Sequence, residues 1–193
     1  KRNEIYVHDV FSKKMLVYDM TGAFIREYTM GDARFIYSFD DACFLVYNTI
    51  TNQTNTDLKP NFTLVSKTDG KVLQTINVSF ASDKKFDLEV TKSNNGESFT
   101  YTAMHLPIIR YSDGYLLNEL SSDTIYKLSS TKELKPFIAR TPSISGMSAP
   151  IFLQGGPETE RFIFLTKVSV NENDVKNMFP TTDWVYDKST GSI

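Results

Sequence analysis

The chain has 193 residues, 21 of them Lys or Arg and 23 Asp or Glu, for a formal charge of −2. That balance excludes a broad electrostatic footprint for nucleic acid, and an apolar fraction of 40% excludes wholesale disorder. With 14 Phe, 10 Tyr and 1 Trp, and 20 Thr against 7 Ala, the composition favours pleated strands over helices.

The predicted strands follow one another in short apolar runs. Ile5 to His8, Met15 to Tyr18 and Phe24 to Tyr28 come first, the last two separated by the turn Asp19-Met20-Thr21-Gly22. Phe35 to Phe39, Phe44 to Tyr47, Thr63 to Ser66 and Val72 to Val78 follow, with Asp69-Gly70 before the last. Next come Phe99 to Met104 or Ile108 to Tyr111, then Tyr115 to Leu120, Thr124 to Leu128 and Leu134 to Ala139. Ser145 to Leu153, Arg161 to Val170 and Trp184 to Asp187 end the series, before Ser189-Thr190-Gly191. Asx-Gly pairs supply the positive φ that tight turns need.

Four of these runs repeat. Met15 to Gly22, Thr63 to Gly70, Thr124 to Thr131 and Trp184 to Gly191 each read as a short apolar strand and a polar turn. The third copy has no Gly and uses Thr131-Lys132-Glu133. Anchored on Tyr18, Val65, Tyr126 and Tyr186, the spacings are 47, 61 and 60 residues. Such periods suit the four-stranded blades of a β-propeller, stretched by insertions. The expected blades are residues 1–32, 33–82, 83–141 and 142–193. The first lacks an inner strand and the fourth an outer one. The expectation is therefore three to four blades of an all-β propeller, cut from a longer chain, in preference to a closed four-bladed ring or a stack of sheets.

Motifs for chemistry are sparse. There is no Gly-x-Ser-x-Gly elbow, His-Glu-x-x-His, EF-hand loop or phosphate-binding loop, so neither a cofactor nor a metal is expected. Cys43 is the one cysteine and reads as a small buried hydrophobe. His8 reads as an alternating strand residue. His105 reads as a hydrogen-bonded loop residue or a group facing the channel. Arg34, Arg110 and Arg140 could fork onto an anionic group, and Tyr37 and Tyr111 could stack on a sugar ring. The candidate binding set is Arg34, Tyr37, His105, Arg110 and Arg140. Two polar loops are long, 48–61 and 171–183. In the second, Val175, Met178 and Phe179 have the spacing of a one- to two-turn helix that caps its own blade or acts as a lid. No apolar run is long enough to span a membrane as a helix.

The run Tyr115 to Leu128, with Leu134 to Ile138 and Arg140 to Ser143, resembles the exported six-bladed β-propeller proteins of gut bacteria, relatives of the NHL and YWTN propellers. Ile5-Tyr6-Val7-His8-Asp9 with Val17-Tyr18-Asp19 and Gly22 is similar to an NHL-type blade. The resemblance implies a periplasmic or outer-membrane-associated protein, with an export or lipoprotein signal and a possible lipid anchor on the full-length chain. It carries over no catalytic residue. The expected role is non-catalytic binding or scaffolding at the cell envelope, with a glycan, peptide or protein at one rim of the channel. A lyase or hydrolase site assembled from several blades stays open as an alternative. So does a structural segment of a larger assembly.

Overall fold

Short alternating strands broken by Asx turns fold into antiparallel sheets. The computed structural model describes residues 3–48, 62–78, 89–94, 97–147, 151–171, 173–174 and 177–193. The chain forms two compact units, Lys1–Val78 and Ser79–Ile193.

The first unit holds two sheets. One runs β1 (Glu4–Asp9), β2 (Lys14–Asp19), β3 (Phe24–Thr29). The other runs β4 (Ala33–Ser38), β5 (Cys43–Asn48), β6 (Phe62–Ser66), β7 (Val72–Ile76). Met15, Val17, Met30, Ala33, Phe44, Val46 and Val65 form the core between them, flanked by Tyr6, Tyr28 and Ile36. Tyr6 meets Phe44 edge-on, with ring centroids 5.0 Å apart. Polar groups clamp the same seam. Arg26 forks onto Glu4 at 2.7 and 3.0 Å and also donates to the carbonyls of Lys67 and Thr68. Tyr28 donates its hydroxyl proton to the Lys67 carbonyl at 3.0 Å.

The second unit begins with the hairpin β8 (Glu89–Asn94) and β9 (Glu97–Thr102). A four-stranded sheet follows: β10 (Ile108–Tyr111), β11 (Gly114–Leu117), β12 (Thr124–Ser129), β13 (Leu134–Ala139). The last sheet is β14 (Ile151–Glu158), β15 (Phe162–Ser169), β16 (Thr181–Asp187). A small core of Leu120, Ile144, Phe152 and Val168 joins these two sheets, covered by Ala103, Val170 and Phe179.

The internal repeat is written into the register. In β2–β3 the pairing slips between Val17 and Tyr18, in β6–β7 between Leu64 and Val65, and in β12–β13 between Ile125 and Tyr126. Each slip leaves one extra residue on the outer strand: Ile25, Leu73 and Phe137. A bulge at the same place in three sheets bends each outer strand alike. The turns repeat as well. Gly22, Gly70 and Gly191 have φ of 87, 74 and 71°, and in the copy without glycine Lys132 takes φ 67° itself. At Gly70 a side chain is excluded, because a Cβ would lie 2.6 Å from the Tyr28 ring and 2.7 Å from the Thr29 carbonyl oxygen.

Several boundary expectations change: β4 is Ala33–Ser38 rather than Phe35 to Phe39, β7 stops at Ile76 rather than Val78, and β11 is Gly114–Leu117 rather than Tyr115 to Leu120. The inner strand of the third repeat is Ile108–Tyr111, and Phe99 sits instead on the separate hairpin. β14 starts at Ile151, because Ile144–Gly146 turns as a single 3-10 turn ahead of it. β15 is Phe162–Ser169, one residue shorter at each end than expected. The loop 49–61 lies outside the described residues, as do Glu172, Val175 and Lys176 of the expected helix. The described part of that loop seats Met178 at 3% exposure and packs Phe179 on the Leu120 core, the capping arrangement.

Candidate functional site

The five candidate residues are divided between the two units, Arg34 and Tyr37 in the first and His105, Arg110 and Arg140 in the second. Arg34 and Tyr37 lie on β4 in the first unit. Arg34 is the extra residue where the β4–β5 pairing passes from Ala33 to Phe35, which leaves its side chain exposed. Tyr37 is half-buried, and burial raises its phenol pKa. Arg110 is exposed on β10 opposite Tyr115.

His105 belongs to a tether. Its Nε2 lies 3.0 Å from the carbonyl oxygen of Asn118. Asn118 donates Nδ2 to Leu106 and Gly155 carbonyls at 2.9 and 3.3 Å and accepts from the Gly155 amide at 3.2 Å. Gln154 does the same one residue earlier, donating to the Met104 carbonyl at 3.0 Å and accepting from the Leu106 amide at 3.3 Å. Two buried amide side chains thus serve as a makeshift ladder, holding segment 104–106 against β14. Buried polar groups have to be satisfied in this way. The imidazole is engaged in holding the strand entry. Among the described residues, no three His, Cys, Asp or Glu side chains gather into a metal-holding group.

Arg140 is 11% exposed and joins the two sheets. It donates to the carbonyls of Ile151 at 2.7 Å and Ser122 at 3.2 Å, and to Asp123 at 3.1 Å. Its Nε–H is buried without an acceptor among the described residues. Asp123 also accepts from Ser143 Oγ at 2.5 Å and the Ile144 amide at 2.8 Å. Burial works to raise the Asp123 pKa, but the bonds from Ser143, Ile144 and Arg140 outweigh it, and the carboxyl sits below its ordinary value.

Arg140 also lines a groove of about 880 Å³ between β13 and the face of β14–β16. Its floor is aliphatic, from Ile138, Ile151, Leu153, Ile163 and Leu165. Phe137, Trp184 and Tyr186 supply aromatic faces. Phe137 reaches it as the extra residue of the β12–β13 bulge. Trp184 and Tyr186 share one side of β16 because strand side chains alternate. Among the described residues the lining holds three cationic side chains, Arg140, Lys167 and Lys188, and no acidic one.

The cations differ in how they are engaged. Arg140 is paired to Asp123. Lys188 donates to Glu158 at 2.8 Å and to the Thr159 carbonyl at 2.5 Å. Glu158 takes a second lysine, Lys127, at 2.6 Å, whose ammonium sits 3.7 Å from the centroid of Phe137 and 4.8 Å from that of Tyr111. Burial pushes the Glu158 pKa up, and the two lysines more than cancel it, so it stays ionised below the ordinary range. Lys167 has no carboxylate partner among the described residues. Its ammonium lies 5.9 Å from the Trp184 ring centroid.

Of the five candidates, only Arg140 lines the groove. Trp184, Lys167 and Phe137, which line the groove, are absent from the sequence-derived candidates, although the sequence carries one signal for Lys167. Ile163, Leu165 and Lys167 occupy one face of β15, so a lysine stands where an apolar residue would continue the pattern. A second, smaller cavity of about 500 Å³ lies by Met104, Leu106, Gln154 and Phe179. Met104 and Leu106 of the tethered segment form part of its wall.

No helix among the described residues is long and apolar enough to cross a membrane. No curated protein and no solved structure matches the sequence. A family profile described as a 6-bladed beta-propeller matches residues 1–193. The repeated three- and four-stranded antiparallel sheets, with their shared bulges and turns, agree with it. The chain belongs to this six-bladed β-propeller family.

Proposed function

We propose that the chain is a non-catalytic binding β-propeller of the bacterial cell envelope, and that its ligand occupies the groove between β13 and the β14–β16 face. The observation that carries this reading is the groove itself. Its volume of about 880 Å³ suits a ligand of drug size, and three aromatic rings and a set of aliphatic side chains line it. The aliphatic floor favours a ligand with an apolar body over a sugar, whose hydroxyls would lose their hydrogen bonds against Ile138, Leu153 and Leu165. The envelope location rests on the resemblance to exported propellers. The candidate acid–base group, His105, is tied to a backbone carbonyl outside the groove, which supports binding over catalysis.

The chain's one tryptophan lines the groove and makes the reading testable. The neutral reporter N-phenyl-1-naphthylamine absorbs where tryptophan emits. Titrated into the protein, it is expected to bind one to one and to be sensitised by excitation of Trp184. Trp184→Phe should remove the sensitisation and keep the directly excited signal. Ile138→Phe, which fills the groove, should weaken binding. Absence of saturable binding, or binding indifferent to Ile138→Phe, overturns the reading.

A further inference from the structure

We infer that the groove selects an amphiphile carrying a single anionic group, which pairs with Lys167. The inference rests on the groove being the ligand site. Its first support is the charge count of the described lining side chains, three cations and no acidic side chain. Two of the three each have a carboxylate partner, Arg140 in Asp123 at 3.1 Å and Lys188 in Glu158 at 2.8 Å, the latter shared with Lys127. Lys167 is left as the one lining cation without a carboxylate partner among the described residues.

Position is the second support. Lys167 follows Ile163 and Leu165 on the same face of β15 and stands opposite Leu153 on β14 and Thr182 on β16. Its ammonium sits at the edge of the apolar floor, 5.9 Å from the Trp184 ring. A ligand whose apolar body lies on Leu153, Leu165 and Trp184 brings its polar end to this lysine. A carboxylate, sulfate or phosphate there gains a charge-assisted hydrogen bond in partly desolvated surroundings. A cationic end group at the same place meets the like charge of Lys167.

The test compares four ligands with the same ten-carbon tail, each below its micelle-forming concentration: decanoate, decyl sulfate, decyl glucoside and decyltrimethylammonium. Each competes with N-phenyl-1-naphthylamine on the full chain. The two anions are expected to displace it at concentrations about tenfold or more below the glucoside, with the cation weakest. Lys167→Gln should bring the anions to within about threefold of the glucoside and leave the glucoside unchanged. Lys135→Gln, at an exposed lysine of the same unit, should change nothing. Equal displacement by anion and glucoside, or an anion preference that survives Lys167→Gln, overturns the inference and leaves the groove reading standing. Failure of all four ligands and of the reporter to bind overturns both.

Discussion

Asn118 and Gly155 exchange two hydrogen bonds, the side-chain amide of one pairing with the peptide of the other at 3.2 and 3.3 Å. The pair does for two sheets what a ladder does for two strands. Asn118 is 3% exposed, so none of its polar atoms can turn to water instead. Gly155 leaves room for it, since a Cβ there would come to 3.0 Å from Asn118 Oδ1. Asn118→Asp places a carboxylate against the carbonyls of Leu106 and Gly155. It should cost more than Asn118→Ala, which should itself cost about 2 kcal/mol for the peptide groups left unpaired. Thermal melts of the two variants check the order.

The turn of the third repeat predicts a stabilising change. Lys132 holds φ 67°, where the other copies place glycine. A side chain in that conformation costs about 1 kcal/mol. Lys132→Gly should therefore raise stability by roughly that amount, less the entropy glycine adds to the unfolded chain. Gly70→Ala should do the reverse, and more strongly, because its Cβ meets both the Tyr28 ring and the Thr29 carbonyl. Urea midpoints measured in parallel give both signs.

Acid stability follows from Asp123 and Glu158. Both carboxyls sit below their ordinary values in the folded chain, held by Ser143, Ile144 and Arg140 in one case and by Lys127 and Lys188 in the other. A depressed folded pKa contributes stability above the unfolded value and loses it as pH falls through the folded one. The loss is expected to begin near pH 4 and to grow below it. Asp123→Asn and Glu158→Gln should each be less stable than the parent at neutral pH and flatten its decline in acid. Melting temperatures measured across the acid range show whether the curves converge.

The Glu158 junction also predicts a difference between its partners. Removing Glu158 leaves two ammonium groups together at one end of the groove, whereas Lys127→Met keeps an apolar chain on the Tyr111 and Phe137 rings. Loss of one partner from a partly buried pair is costly, while apolar replacement is often near neutral. Glu158→Ala should destabilise by about 2 kcal/mol and Lys127→Met by less than half of that. Chemical denaturation of the two variants decides it.

The architecture was legible in the sequence because turns and alternation are local properties. The anchors Tyr18, Val65 and Tyr126, marked by the repeated pattern of apolar strand and polar turn, lie at the register slip of their strands. The inner strands were harder. Phe99 to Met104 and Ile108 to Tyr111 carry the same local pattern, and only pairing with Gly114–Leu117 separates them. The site was mostly illegible. Arginine and histidine carry the chemistry of binding groups, and the hydrogen-bonded alternative read for His105 is the arrangement seen, with Arg140 and His105 both engaging backbone carbonyls brought near by tertiary packing. The groove depends on Phe137 being pushed out by a bulge and on Trp184 and Lys167 facing the same way from neighbouring strands. Neither relation exists within one strand.

The most direct test of the account is a fluorine resonance in the groove. With 5-fluorotryptophan at the one tryptophan position, saturation with decanoate should move the Trp184 signal, and Lys167→Gln should reduce the shift seen at the same decanoate concentration. A resonance that stays put while calorimetry reports decanoate bound to the chain would place the ligand elsewhere and contradict the account.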